Sequence, residues 1–395
     1  MNFDRINDRK NTHSVKWDGH KTFKVNEEAF PMWVADMDFQ TDKKIVEALV
    51  KEAQSGIFGY RLVSDSYLES VASWLNRRFD WKIAKEWIVD TPGVVSAFHA
   101  ALSAFTDEKD AVLIMQPVYH PFRKGILQLK RKVVNQPLTY DEHSRSYWLD
   151  MHALEQSIVT HQVKMMVLCS PHNPVGKVWT KDELVSMAEI CLKHQVLIFS
   201  DEIHMDIVHS QGKHIPLASL DQRYHPFVLT AIAASKTFNL AGLKLSQVIV
   251  PDEVLRRKLQ KPYQTLGVSA GNSFAYLATE MAYTHGDEYV NQLNAYLEQS
   301  IAYIDDFLQK HLPMIVRVPS QSLYLVWLDF RQLNLDDKQL QDFLRNQAKL
   351  WFNDGHIFGT EGSGFQRMNI ATPKENIIKA LNQLKEAIEK LKSIE

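Results

Sequence analysis

Three polar residues of different chemistry follow three successive apolar runs in this 395-residue chain. Residues 164–169 lead into Ser170-Pro171-His172-Asn173-Pro174-Val175-Gly176, residues 196–200 end on Asp201-Glu202, and residues 228–232 precede Ala233-Ala234-Ser235-Lys236-Thr237-Phe238-Asn239. An amide, a carboxylate and an amine therefore occupy equivalent places. Short, near-continuous apolar runs predict strands buried on both faces, as in a parallel sheet. Open α/β sheets bind their ligands at the carboxyl ends of such strands, so position itself carries information. Upstream, Thr91-Pro92-Gly93-Val94-Val95-Ser96 opens a helix whose free N–H groups suit a phosphate. The run 111–115 leads to Pro117-Val118-Tyr119-His120-Pro121, an aromatic residue held between prolines.

A phosphate cradle, an aromatic stacking surface, one carboxylate and one lysine match the needs of pyridoxal 5′-phosphate. That cofactor takes a lysine for its Schiff base and a carboxylate to keep its ring nitrogen protonated. A carboxylate and a pyridinium about 4 Å apart attract by roughly 4 kcal/mol at an effective dielectric near 20, before desolvation. Singly, each residue has a plainer reading: Lys236 as a solvated lysine, Asp201 as a helix cap, Asn173 as a turn residue, Tyr119 as a partly buried aromatic. Their order at successive strand ends is what those readings leave unexplained.

The elements that must position these residues can be read from periodicity. Besides the runs named, 247–250 is strand-like, and 181–194 is an amphipathic helix opened by Thr180 with Glu183 three residues later. Strand, helix, strand makes a βαβ unit, and the middle of the chain reads as a doubly wound α/β domain. After about residue 280 the pattern changes to a long helix (287–311), an alternating strand (322–330) and a terminal helix. That last helix stripes Ile377, Leu381, Leu384, Ile388 and Leu391 along one face. The organisation expected is an N-terminal segment 1–45 that mostly joins the small domain and borders the site, a large domain 46–280 and a small α+β domain 281–395.

Several functions are excluded or disfavoured. Lysine plus arginine number 45 against 47 acidic residues, a net charge of −2, so neither nucleic acid nor a membrane surface is expected as a partner. No stretch approaches 18 uncharged apolar residues, the polar first ten residues predict no signal peptide, and the two cysteines, Cys169 and Cys191, lie in apolar runs. A soluble cytoplasmic protein is expected. Asp201-Glu202-Ile203-His204 looks like a nucleotide-hydrolysis box, but no Gly-rich loop ending in Gly-Lys-Ser/Thr accompanies it. A dinucleotide Gly-x-Gly-x-x-Gly and a Gly-x-Ser-x-Gly elbow are absent too. His204 and His209 lack zinc-site spacing, and no metal site is expected.

Over essentially its whole length the chain resembles the fold-type I pyridoxal-phosphate enzymes, the aspartate aminotransferase superfamily. The resemblance rests on Ser170-Pro-His-Asn-Pro-Val-Gly, Ser200-Asp-Glu-Ile and Ser235-Lys-Thr-Phe-Asn-Leu-Ala-Gly-Leu in combination. It implies a mostly parallel, seven-stranded large-domain sheet. It makes Lys236 the Schiff-base lysine and acid/base catalyst, Asp201 the partner of the pyridine nitrogen, and Asn173 the partner of the ring hydroxyl. Tyr119 would stack on the ring, and Val94, Val95, Ser96, Ser235 and Lys244 would hold the phosphate. Tyr60, in Phe-Gly-Tyr-Arg, resembles the tyrosine lent to a neighbouring subunit's phosphate, which implies a homodimer with shared active sites. Arg367, in Gly364-Phe-Gln-Arg-Met-Asn-Ile-Ala, matches the arginine that grips the substrate carboxylate by two parallel hydrogen bonds. Two positions depart from the common pattern: His204 stands where many aminotransferases carry tyrosine beside the cofactor, and Ala233 where serine is common.

Within the superfamily, Phe30-Pro-Met-Trp-Val-Ala-Asp-Met-Asp-Phe39 resembles the cystathionine β-lyase group of the MalY/PatB and cystalysin type, whose loop here borders the substrate site, placing Ala35 beside the substrate with Asn173. Typical aminotransferases carry a Gly-rich proline loop instead. The resemblance implies α,β-elimination of cystathionine, cystine or a related S-substituted cysteine, with Tyr119 or Lys236 protonating the departing sulfur. Two alternatives stand beside it: amino-group transfer to a 2-keto acid, and a regulatory protein using the same scaffold.

Overall fold

The structure, a computed structural model, describes residues 1–392. Its centre is a seven-stranded sheet made of β1 (Ile88–Thr91), β2 (Ala111–Ile114), β3 (Lys132–Asn135), β4 (Val163–Cys169), β5 (Leu197–Asp201), β6 (Val228–Ile232) and β7 (Ser246–Ile249). Their spatial order is β1-β7-β6-β5-β4-β2-β3. The pairs β3–β2, β2–β4, β4–β5 and β5–β6 are parallel, while β7 runs antiparallel to both its neighbours. The sheet is thus mostly parallel, with the run near 247–250 as its antiparallel member. Apolar continuity indicates burial on both faces and says nothing of direction. Sequence reading missed β1 and β3. Both lie at the sheet's edges; β1 alternates between half-exposed and buried residues and β3 buries only Val134, so neither shows a continuous apolar run.

Successive residues of the inner strands feed opposite faces, as the two-residue period of a strand requires. Val112, Ile114, Met165 and Val167 pack on one side with helix α1 (Val94–Phe105), and Leu113, Met166 and Leu168 pack into the larger core on the other. Helix α2 (Lys181–Lys193) joins β4 to β5. It starts where the sequence indicates: the Thr180 hydroxyl accepts from the Glu183 N–H while the Glu183 carboxylate accepts from the Thr180 N–H.

The C-terminal part adds a four-stranded antiparallel sheet of β8 (Val316–Arg317), β9 (Leu325–Asp329), β10 (Asn353–Asp354) and β11 (Phe365–Asn369), in the order β8-β9-β11-β10. It is reached through the long helix α3 (Asp287–His311) and followed by α4 (Lys374–Lys392). Ile377, Leu381, Leu384 and Ile388 of α4 are buried and Leu391 packs against the same core. The N-terminal segment returns to this region: Phe30–Pro31 pairs in parallel with Leu350–Trp351, and the indole of Trp33 stacks on that of Trp351 with centroids 4.3 Å apart. Beyond this pairing the chain runs as a strap, 33–38, between the two sheets. No helix among the described residues is long and apolar enough to cross a membrane.

Candidate active site

Strands β4, β5 and β6 are adjacent and parallel, so their carboxyl ends open together; Cys169 stands opposite Asp201, and Asp201 opposite Ala231. Three different continuations then deliver three functional groups to one cavity of about 270 Å³. The turn after β4 brings Asn173, β5 itself ends on Asp201, and a single helical turn after β6 (Ala234–Thr237) carries Ser235 and Lys236. The same cavity is lined by Ala35, Gly93, Val94, Val95, Ser96, Tyr119, Cys169, His204 and Lys244. Two residues singled out in the sequence lie elsewhere. Arg367, on β11, stands outside the lining but donates from Nη1 to Asn173 Oδ1 at 2.9 Å. Tyr60 is fully exposed on the loop between two helices, beside the exposed Ile57, Phe58 and Leu62.

Burial sets the electrostatics. The Lys236 amine donates to the Ala35 carbonyl at 2.7 Å, and desolvation, helped by the nearby Arg367 charge, brings its pKa down to about 8. Asp201 is buried with one local donor, the Ile203 N–H at 3.2 Å, and desolvation pushes its carboxyl up to about 7 despite the opposing charge of Lys236. A carboxylate this short of partners is suited to a cationic ring nitrogen. His204 is buried, its Nδ1 without a partner, and desolvation holds it neutral far below the usual histidine range. Burial raises the Tyr119 phenol. Arg367 is lowered to about 10, again by desolvation; Nη2 donates to the Trp33 carbonyl at 3.2 Å and to Asn353 Oδ1, and the guanidinium lies over the Phe358 ring at 4.8 Å. Its Nε is buried and unpaired, leaving donor capacity for an anion.

The cradle fits a phosphate. Helix α1 has no side-chain cap, so its first-turn N–H groups are left at the cavity wall formed by Gly93, Val94, Val95 and Ser96. Gly93 has φ +112°, and a Cβ there would meet nothing within 4 Å; the position is glycine for its backbone angle and leaves open space beside the helix start. The Ser96 hydroxyl is 3.2 Å from the Tyr263 hydroxyl. Sequence reasoning had no signal for Tyr263 or Asn353, which reach this region from helix and strand positions without a motif, and it gave no role to Asn369 although that residue lies in the segment quoted for Arg367.

The family model of class I and II aminotransferases matches residues 32–384. Cystathionine β-lyase PatB of Bacillus subtilis is 37% identical, over 98% of this chain and 100% of its own. Protein MalY of Escherichia coli is 33% identical, over 98% and 99% of the two chains. Among solved structures, cystalysin from Treponema denticola, which contains a pyridoxal 5′-phosphate cofactor, superposes with a TM-score of 0.95 at 33% identity, covering 99% of both chains.

Proposed function

The chain belongs to the class I and II aminotransferase family, and from its likeness within that family to the cystathionine β-lyase PatB we propose that it is a pyridoxal-phosphate-dependent carbon–sulfur β-lyase. It eliminates cystathionine, cystine or a related S-substituted cysteine to pyruvate, ammonia and a thiol. The observation that carries this reading is the 2.7 Å contact between the Lys236 amine and the Ala35 carbonyl. It sets the reactive lysine against the strap that resembles the lyase group, in a cavity that also holds Asp201 and the α1 cradle.

When bound, the cofactor supplies an electron sink for the charge left on the substrate's α-carbon. The chain's own residues do the rest. Asp201 would hold the proton of the ring nitrogen, Asn173 would donate to the ring hydroxyl, Tyr119 would face the ring with His204 beside it, and the α1 N–H groups with Ser96, Ser235 and Lys244 would grip the phosphate. Lys236 takes the α-proton; at a pKa of about 8 a useful fraction of its amine is unprotonated near neutral pH. Arg367 orients the carboxylate, and Ala35 and Asn173 flank the substrate. Tyr119 or Lys236 returns a proton to the departing sulfur.

The active form is a homodimer in this reading. The exposed run of Ile57, Phe58, Tyr60 and Leu62 is an apolar loop that a second copy would cover, bringing Tyr60 to the partner's phosphate. Segment 1–45 with 281–395 forms the small domain, as the pairing of Phe30–Pro31 with Leu350–Trp351 supports. The test is a mixture of cofactor-loaded protein and L-cystathionine without any keto acid. Release of pyruvate and homocysteine is expected. No release, with amino-group transfer once 2-oxoglutarate is added, would make the protein an aminotransferase.

A further inference from the structure

Five successive carbonyls of the strap are each claimed by a side chain from elsewhere in the chain. The Trp33 carbonyl accepts from Arg367 Nη2 at 3.2 Å and the Ala35 carbonyl from Lys236 Nζ at 2.7 Å. Between and beside them, Asn369 Nδ2 donates to the Val34 and Asp36 carbonyls at 2.6 and 2.8 Å, and Met37 is held on both sides of its peptide by Asn239. The strap thus accepts hydrogen bonds from both the amine and the guanidinium of the site.

Its far end is tied by charge. Asp38 is 3% exposed and Lys16 is wholly buried, with Lys16 Nζ donating to Asp38 Oδ2 at 2.6 Å. The other oxygen, Oδ1, accepts from Trp17 Nε1 at 2.8 Å and from Arg9 Nη1 at 3.0 Å. Arg9 also grips Asp36 through two hydrogen bonds, at 2.6 and 3.0 Å. A buried ion pair contributes little net stability over an apolar pair of the same shape, because desolving both charges offsets their attraction. What it does supply is a fixed geometry, since a displaced partner leaves a buried charge alone.

We propose that Asp38, clamped by Lys16, Arg9 and Trp17, is a positioning residue of the active site. By fixing the strap it sets the separation between the Lys236 amine and the Arg367 guanidinium, and so where a substrate's α-carbon lies relative to its base. This rests on the β-lyase reading for the reaction itself, but the structural claim concerns the strap alone.

The test compares wild type with Lys16→Met/Asp38→Asn, which removes both charges so that neither is left alone and keeps an oxygen for Trp17 and Arg9, and with Trp17→Phe, which removes one donor and keeps most of the ring. On cofactor-loaded protein, hydrogen exchange at the amides of residues 36–38 is expected to speed at least tenfold in the double variant, and less in Trp17→Phe. The melting temperature should stay within a few degrees of wild type. With cystathionine, kcat is expected to fall at least tenfold with KM raised, in the same rank order. Unchanged exchange at 36–38, or kcat and KM within twofold of wild type despite faster exchange, would overturn the proposal. Should wild type fail to eliminate cystathionine, the functional reading falls, while the exchange measurement still decides whether the clamp holds the strap.

Discussion

The Thr237 hydroxyl donates to Asp206 Oδ2 at 2.8 Å, while Asp206 Oδ1 accepts from Trp74 Nε1 at 3.1 Å. Thr237 directly follows Lys236, and Asp206 lies five residues beyond Asp201, so one buried carboxylate fastens the lysine turn to the loop of the ring-binding acid. Asp206 is 4% exposed. Removing it leaves a hydroxyl and an indole N–H inside the protein without an acceptor.

Asp206→Ala is therefore expected to cost about 2–6 kcal/mol, two orphaned donors at about 1–3 kcal/mol each, read by urea unfolding of the loaded protein. Thr237→Ser keeps the donor and should lose little, whereas Thr237→Val should lose part of the Asp206→Ala effect. Equal stability of Asp206→Ala and wild type would show that the carboxylate holds nothing.

The pKa directions give opposite pH windows in the cofactor-free protein. Asp201 keeps its proton up to about 7 when folded, against an ordinary carboxyl value of 3.8. Between those values the folded state binds more protons, so stability falls as pH rises, and the whole cost is present above 7. Lys236 loses its proton at about 8 when folded, against 10.5. There the unfolded state binds more, so stability rises with pH from 8 to 10.5. Asp201→Asn should accordingly raise the melting temperature at pH 8, with the gain shrinking as pH falls through 7 towards 4. Lys236→Met should do so at pH 7, its gain shrinking above pH 8. Loading with the cofactor should abolish the Asp201→Asn gain, because the ring nitrogen gives the carboxylate its partner.

Arg367→Lys keeps a positive charge but loses the planar fork. The expected change is a 10- to 100-fold drop in kcat/KM, carried mostly by KM, in line with about 1.5–3 kcal/mol for hydrogen bonds to charged groups. A substrate analogue lacking the carboxylate should be indifferent to the change. If both respond alike, Arg367 acts through Asn173 and the strap.

How much of this was legible in the sequence follows from which signals are local. Asn173, Asp201 and Lys236 could be placed because each sits within a few residues of the end of an apolar run, and strand ends converge in a parallel sheet. The edge strands β1 and β3 were not legible, because half-exposed strands lack that run, and the direction of β7 was not, because pairing partners are set by tertiary contacts. The strap's residues were readable as a motif, but its clamp was not: Lys16 in sequence is one lysine among polar neighbours, and only the fold buries it against Asp38. Tyr263 and Asn353 likewise reach the site by packing alone.

Tyr60 makes the sharpest demand on assembly, because it lies on an exposed loop outside its own chain's cavity. If Tyr60 of the partner subunit completes each phosphate site, Tyr60→Ala and Lys236→Ala homodimers are both impaired for different reasons. Co-refolding them in equal amounts should restore activity. Each mixed dimer holds one site with its own Lys236 and the partner's Tyr60, beside one doubly defective site; statistical pairing then gives about a quarter of the wild-type sites. Activity that never rises above the sum of the two parents would place Tyr60 outside the site, and the apolar loop around it would have another use. A dimer detected by light scattering without complementation would separate association from site sharing: the interface would stand and the shared tyrosine would not.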